Sequence, residues 1–130
     1  MIDIDNEIIS VVKTAAPDLL HVYGIEVRVP KETPCASVIQ IGNSTQTNYQ
    51  DSSLDENYAQ ITFEIKVYSD SPSDKKNIAK SNMLLVDTAM IQKGFSRSMT
   101  SPLSVNDGTL YYMVCRYKAI VSKELEIYGR

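Results

Sequence analysis

The run Tyr58–Ser69, YAQITFEIKVYS, constrains the fold of this chain more than any other stretch. Ala59, Ile61, Phe63, Ile65 and Val67 fall on one side of it, and Gln60, Thr62, Glu64, Lys66 and Tyr68 on the other. A repeat of two belongs to an extended strand, because successive side chains of a strand point to opposite faces. One face is therefore core, while the other is polar yet built of long side chains. A strand of this kind is not stable alone and needs strands beside it and cover over its apolar face.

The rest of the sequence supplies both. Thr109–Ser122 places Tyr111, Met113, Cys115, Tyr117, Ala119 and Val121 on one side, and Asn106-Asp107-Gly108 before it is a strong turn signal. Cys35–Gly42 reads as a strand centred on Val38–Ile41, and Ile25–Val29 as a short one ended by Pro30. Phe95–Val105 is a weaker strand that the sequence predicts to be interrupted near Ser101-Pro102, since proline cannot donate to a ladder. Two helices provide cover. Residues 4–16 carry Ile4, Ile8, Ile9, Val12 and Ala16 at helical spacing and stop before Pro17; residues 18–23 read as an added turn before Gly24. A second helix starts at Ser71 as cap with Pro72 and Asp74 in the first turn, and runs to about Lys93, with Gly94 placed to end it. Its apolar stripe is Ala79, Met83, Val86 and Met90, widened by Ile78, Leu85 and Ala89. The order α-β-β-β-α-β-β predicts an α+β fold, a mainly antiparallel sheet with two helices packed on it. The 130 residues suit one domain, and 43% hydrophobic residues can form its core without a metal or disulfide. Two segments stand apart: residues 43–57 read as a long polar loop or hairpin extension, and residues 123–130 as a further strand or an arm reaching a neighbour.

The chemistry-bearing residues exclude more than they suggest. His21 is the one histidine, and nothing around it resembles a nucleophile motif. Cys35 and Cys115 lie in no metal or redox spacing and read as small core hydrophobes. The five glycines are isolated, so no phosphate loop is built. Asp51, Asp55 and Glu56 gather in the polar loop without the spacing or glycine of a calcium site and read as solvated. Lys75, Lys76 and Lys80 are balanced by Asp70, Asp74 and Asp87. Asn43-Ser44-Thr45 matches a glycosylation sequon, which means little without secretion. The expectation is no enzyme, no cofactor and no metal. A net charge of −3 and a pI near 5.1 argue against free binding to nucleic acid, though not against DNA passing an acidic wall. The acidic start, Met1 to Glu7, lacks a secretory signal, and no apolar run reaches the length of a membrane span, so the chain is expected to be made in the cytosol.

Tyrosine is more informative. There are eight, against two Phe and no Trp, and Tyr58, Tyr68, Tyr111, Tyr112, Tyr117 and Tyr128 lie in or beside strand segments. Tyr68 shares its face with Glu64 and Lys66; Tyr112 shares its face with Arg116 and Lys118. Tyrosine is common on ordinary sheet surface, but tyrosine with arginine is also the composition of interface cores. Tyr68, Tyr112, Arg116 and Lys118, with Leu125, Ile127 and Tyr128 of the C-terminal arm, are the candidate subunit contacts.

The run Tyr58–Ser69, then Val86-Asp87-Thr88-Ala89-Met90, Gly94-Phe95-Ser96-Arg97 and Cys115-Arg116-Tyr117-Lys118-Ala119, resembles the small tail-terminator (tail-completion) proteins of tailed bacteriophages and phage-tail-like particles. The resemblance covers roughly residues 58–120; head–tail connector and minor capsid components have similar sizes. It implies a structural virion protein: a homohexameric ring on the head-proximal end of the tail tube, which stops tube polymerisation. The partners it implies are the tube protein and the head–tail connector, with the sheath in a contractile tail, while DNA passes through unread. Tyr49, Asp51, Asp55 and Glu56 of the polar loop are candidates for contact with the tube or the lumen, a role the family pattern does not assign. The alternatives are a head-completion adaptor, or a small binding module or enzyme with an unrecognised site.

Overall fold

The computed structural model describes residues 4–24, 34–45, 58–69, 75–105, 110–122 and 127. The elements are α1 (Asp5–Ala15), β1 (His21–Tyr23), β2 (Cys35–Thr45), β3 (Tyr58–Ser69), α2 (Lys75–Gln92), β4 (Ser96–Val105) and β5 (Leu110–Ser122). They form one five-stranded sheet in the order β1-β2-β3-β5-β4. Every neighbouring pair is antiparallel except β1 with β2. The fold is α+β in the predicted order.

The alternating run sits at the centre of the sheet as β3, and Ala59, Ile61, Phe63, Ile65 and Val67 are all buried. Beside it Tyr117, Ala119 and Val121 of β5 and Ala36 and Val38 of β2 turn the same way, and Met83, Val86 and Met90 of α2 and Ile8 and Val12 of α1 close over them. Both helices therefore lie on one side. Strands β3 and β4 are both antiparallel to β5, hence parallel to each other, and such a pair needs a crossover. Helix α2 is that crossover.

Local chemistry explains the helix ends. Ala16 has φ −126° and ψ 77°, outside the α region that a following proline disfavours, so α1 ends ahead of Pro17. Past α2, Gly94 takes φ 107°, while the Phe95 N–H donates to the Met90 carbonyl at 3.1 Å and the Gly94 N–H to Ile91 at 3.0 Å. This pair of bonds is a Schellman cap, and it folds Phe95 back into the core, edge-on to Phe63 at 6.0 Å.

Four readings from sequence need correction. Residues 21–23 are a strand, not an added turn: their pairing with Cys35–Ser37 supplies hydrogen bonds that the local sequence does not announce. Strand β4 runs through Pro102 unbroken, because β4 is an edge strand and a missing N–H is harmless there. Strand β2 extends to Thr45, past a bulge between Gln40 and Gly42, so Asn43–Thr45 belongs to the sheet rather than to the polar loop. Leu85 is exposed rather than part of the buried stripe of α2. The strand expected at Ile25–Val29, the start of the second helix at Ser71, the Asn106–Gly108 turn and the remainder of the polar loop lie outside the described residues.

Candidate interaction surface

The second face of the sheet carries no helix among the described residues, and its residues fall into cross-strand rows. One row is His21–Cys35–Tyr68–Tyr112–Leu103, the next Tyr23–Ser37–Lys66–Val114–Ser101, and the next Ile39–Glu64–Arg116–Met99. An aromatic end thus gives way to a charged band. The His21 and Tyr23 rings lie 4.1 Å apart on β1, tilted by 49°, and Tyr68 lies 5.2 Å from Tyr112 across β3 and β5. The Lys66 ammonium stands over the Tyr112 ring at 5.8 Å, within the reach of a cation–π contact. In the charged band, Glu64 accepts from Arg116 Nε at 2.9 Å and pairs with Lys66 at 3.7 Å, so two cations share one carboxylate.

This places the residues singled out by composition. Tyr112, Arg116 and Lys118 stand on this second face, Arg116 and Lys118 exposed and Tyr112 half-buried. Tyr68 is only 3% exposed, so it offers little surface of its own. Ile127 bridges to Val121 and packs against the core of its own chain. Leu125, Tyr128, Tyr49, Asp51, Asp55 and Glu56 lie outside the described residues. Sequence reasoning missed that Cys35, Ser37 and Val114 are buried on this same face. Their alternation with Ala36, Val38 and Cys115 was the available signal. The Ser37 hydroxyl has no hydrogen-bond partner among the described residues.

On the helix side, one polar contact joins three elements. The Tyr117 hydroxyl on β5 donates to Asp87 Oδ1 on α2 at 2.8 Å, and Arg97 Nη1 on β4 pairs with the same oxygen at 3.1 Å. Burial, followed by this hydrogen bond, pushes the Tyr117 phenol far above its ordinary range. The ring keeps its proton and acts as a fixed donor. A groove between α1 and α2, lined by Val11, Thr14, Ala15 and Ala89, is crossed by a Lys93–Glu7 ion pair at 3.6 Å. Among the described residues no group of three or more His, Cys, Asp or Glu is placed to hold a metal, and no helix is long and apolar enough to cross a membrane.

No protein-family model matches the chain, and a search of curated proteins finds no match.

Proposed function

We propose that this chain is a structural protein of a phage or phage-like tail, assembling as a ring on the head-proximal end of the tail tube. There it would end tube polymerisation and offer a docking surface to the head connector or sheath. One observation carries the reading beyond the resemblance of separate runs. The three runs that follow Tyr58–Ser69 in the resemblance each contribute one member of the Asp87–Arg97–Tyr117 contact. Runs far apart in sequence are thus parts of one structural unit, as expected if the resemblance is one of fold. The second face of the sheet, with Tyr112, Arg116 and Lys118, is one surface this reading assigns to neighbouring subunits. DNA would pass the ring without being read, consistent with a net charge of −3.

Electron microscopy of the purified protein, alone and mixed with tail tubes, tests the reading. Sixfold rings, free or confined to tube ends, are expected. A twelvefold ring, or a preference for a portal over a tube, would indicate a head-completion adaptor instead. A protein that stays monomeric and ignores tubes would contradict the reading.

A further inference from the structure

The two edges of the sheet differ in kind. β1 is three residues long and uncharged, and β4 is ten residues long with Arg97 as its one charge. Monomeric proteins usually guard their edges with charge, cover, bulges, proline or short strands. β4 has a bulge between Arg97 and Met99 and a proline at 102, yet Thr100–Val105 remains long and neutral. Among the described elements only β5 lies beside it in the sheet. Proline in a laddered strand sits where its missing N–H would point away from the partner. On that parity Thr100 and Ser104 direct their N–H groups to the open edge.

The strand directions determine what could continue the sheet. β1, β2 and β5 run one way and β3 and β4 the other. A second copy placed in the same orientation beyond β4 would present its β1 antiparallel to β4, the more stable kind of pairing. The helices point to the same arrangement. Ala89, Gln92 and Lys93 of α2 face α1, whereas Asp87 turns towards β4, where it meets Arg97. At 3.6 residues per turn, Leu84 and Ile91 fall on the β4 side with Asp87, 58% and 43% exposed. In a continued sheet that side of α2 meets the next copy's α1, on whose β1 side Ile9 sits close to Gly24. Leu20, just before β1, is 61% exposed at the same junction.

We propose that copies of this chain join head to tail, the β4 edge of one pairing with the β1 edge of the next while Leu84 and Ile91 pack on the next copy's α1. The inference rests on the self-assembly reading above and adds a sheet-edge contact to the second-face contact assigned there. Such a contact is heterologous, the type that generates a ring when its rotation closes. A twofold β4–β4 pairing would set two prolines in one ladder and leave β1 and Leu20 out of the contact.

The experiment uses two single-cysteine additions, His21→Cys and Ser101→Cys, one on each edge strand; the native Cys35 and Cys115 are buried. Mixed and treated with a short bismaleimide, the two variants should give a crosslinked dimer at least tenfold more abundant than either variant alone. In parallel, Thr100→Pro and the double variant Leu84→Lys, Ile91→Lys should raise the concentration needed for assembly at least tenfold. Their circular dichroism should stay that of the wild type; should Thr100→Pro unfold, the crosslink and the lysine variant decide. If wild-type rings form without the mixed crosslink and the lysine variant assembles normally, the edge pairing is wrong and the ring reading stands. Self-crosslinking of Ser101→Cys alone would replace it with the twofold contact. A wild type that stays monomeric at all concentrations overturns both.

Discussion

Asp87 is the residue on which the helix side of the molecule turns, since its carboxylate receives both the buried Tyr117 hydroxyl and Arg97. Asp87→Ala would strand a buried phenol, at a cost of about 1–3 kcal/mol in urea denaturation. Tyr117→Phe removes the donor together with the need for an acceptor, and should cost only about 0.5–1.5 kcal/mol. The two variants also differ in alkali. The folded phenol holds its proton well above the unfolded value near 10. Below pH 10 both states are protonated and this group gives no pH dependence. Above it the unfolded state releases a proton that the folded state keeps, so stability falls by about 1.4 kcal/mol per pH unit. Tyr117→Phe should lose that part of the slope, as denaturation at pH 9 and 11 would show. Ser37→Ala removes a buried hydroxyl that has no partner among the described residues, and is expected to be neutral or stabilising by about 1 kcal/mol. None of these contacts was legible beforehand. The sequence indicated that Tyr117 faces the core, but which carboxylate meets it depends on how α2 crosses the sheet.

At the scale of elements, the strands with a strict repeat of two were legible because their two faces meet different surroundings, one the helix-covered core and one a more polar face. β1 was not, since three residues are too few to show a period and its hydrogen bonds come from β2. The same holds for Pro102: whether it breaks a strand depends on whether that strand is an edge, which is a property of the sheet. Helix α2 shows the other limit. Its stripe was right at Ala79, Met83, Val86 and Met90, but Leu85, read as widening it, is exposed, and an apolar residue does not declare which face will be covered. The end of α2 was legible at one residue. Gly94→Ala forces a side chain into φ 107° and should cost about 1–2 kcal/mol, seen as a lower denaturation midpoint.

For the whole molecule, the alternation told which of the singled-out residues share the second face. Tyr112, Arg116 and Lys118 share the second face as their alternation required, Tyr68 is buried beside Tyr112, and Ile127 folds against its own core. Replacing Tyr112 and Arg116 together with Ala should weaken assembly while leaving the monomer folded, because an exposed ion pair such as Arg116–Glu64 contributes at most about 1 kcal/mol to stability. Unchanged oligomerisation by light scattering would remove that face from the interface. The central claim, a ring that caps a tail tube, is tested most directly by imaging the purified protein with tail tubes by electron microscopy. Sixfold rings on one end of each tube are the predicted result. A monomer that leaves tube ends bare and tube growth unchanged would contradict it.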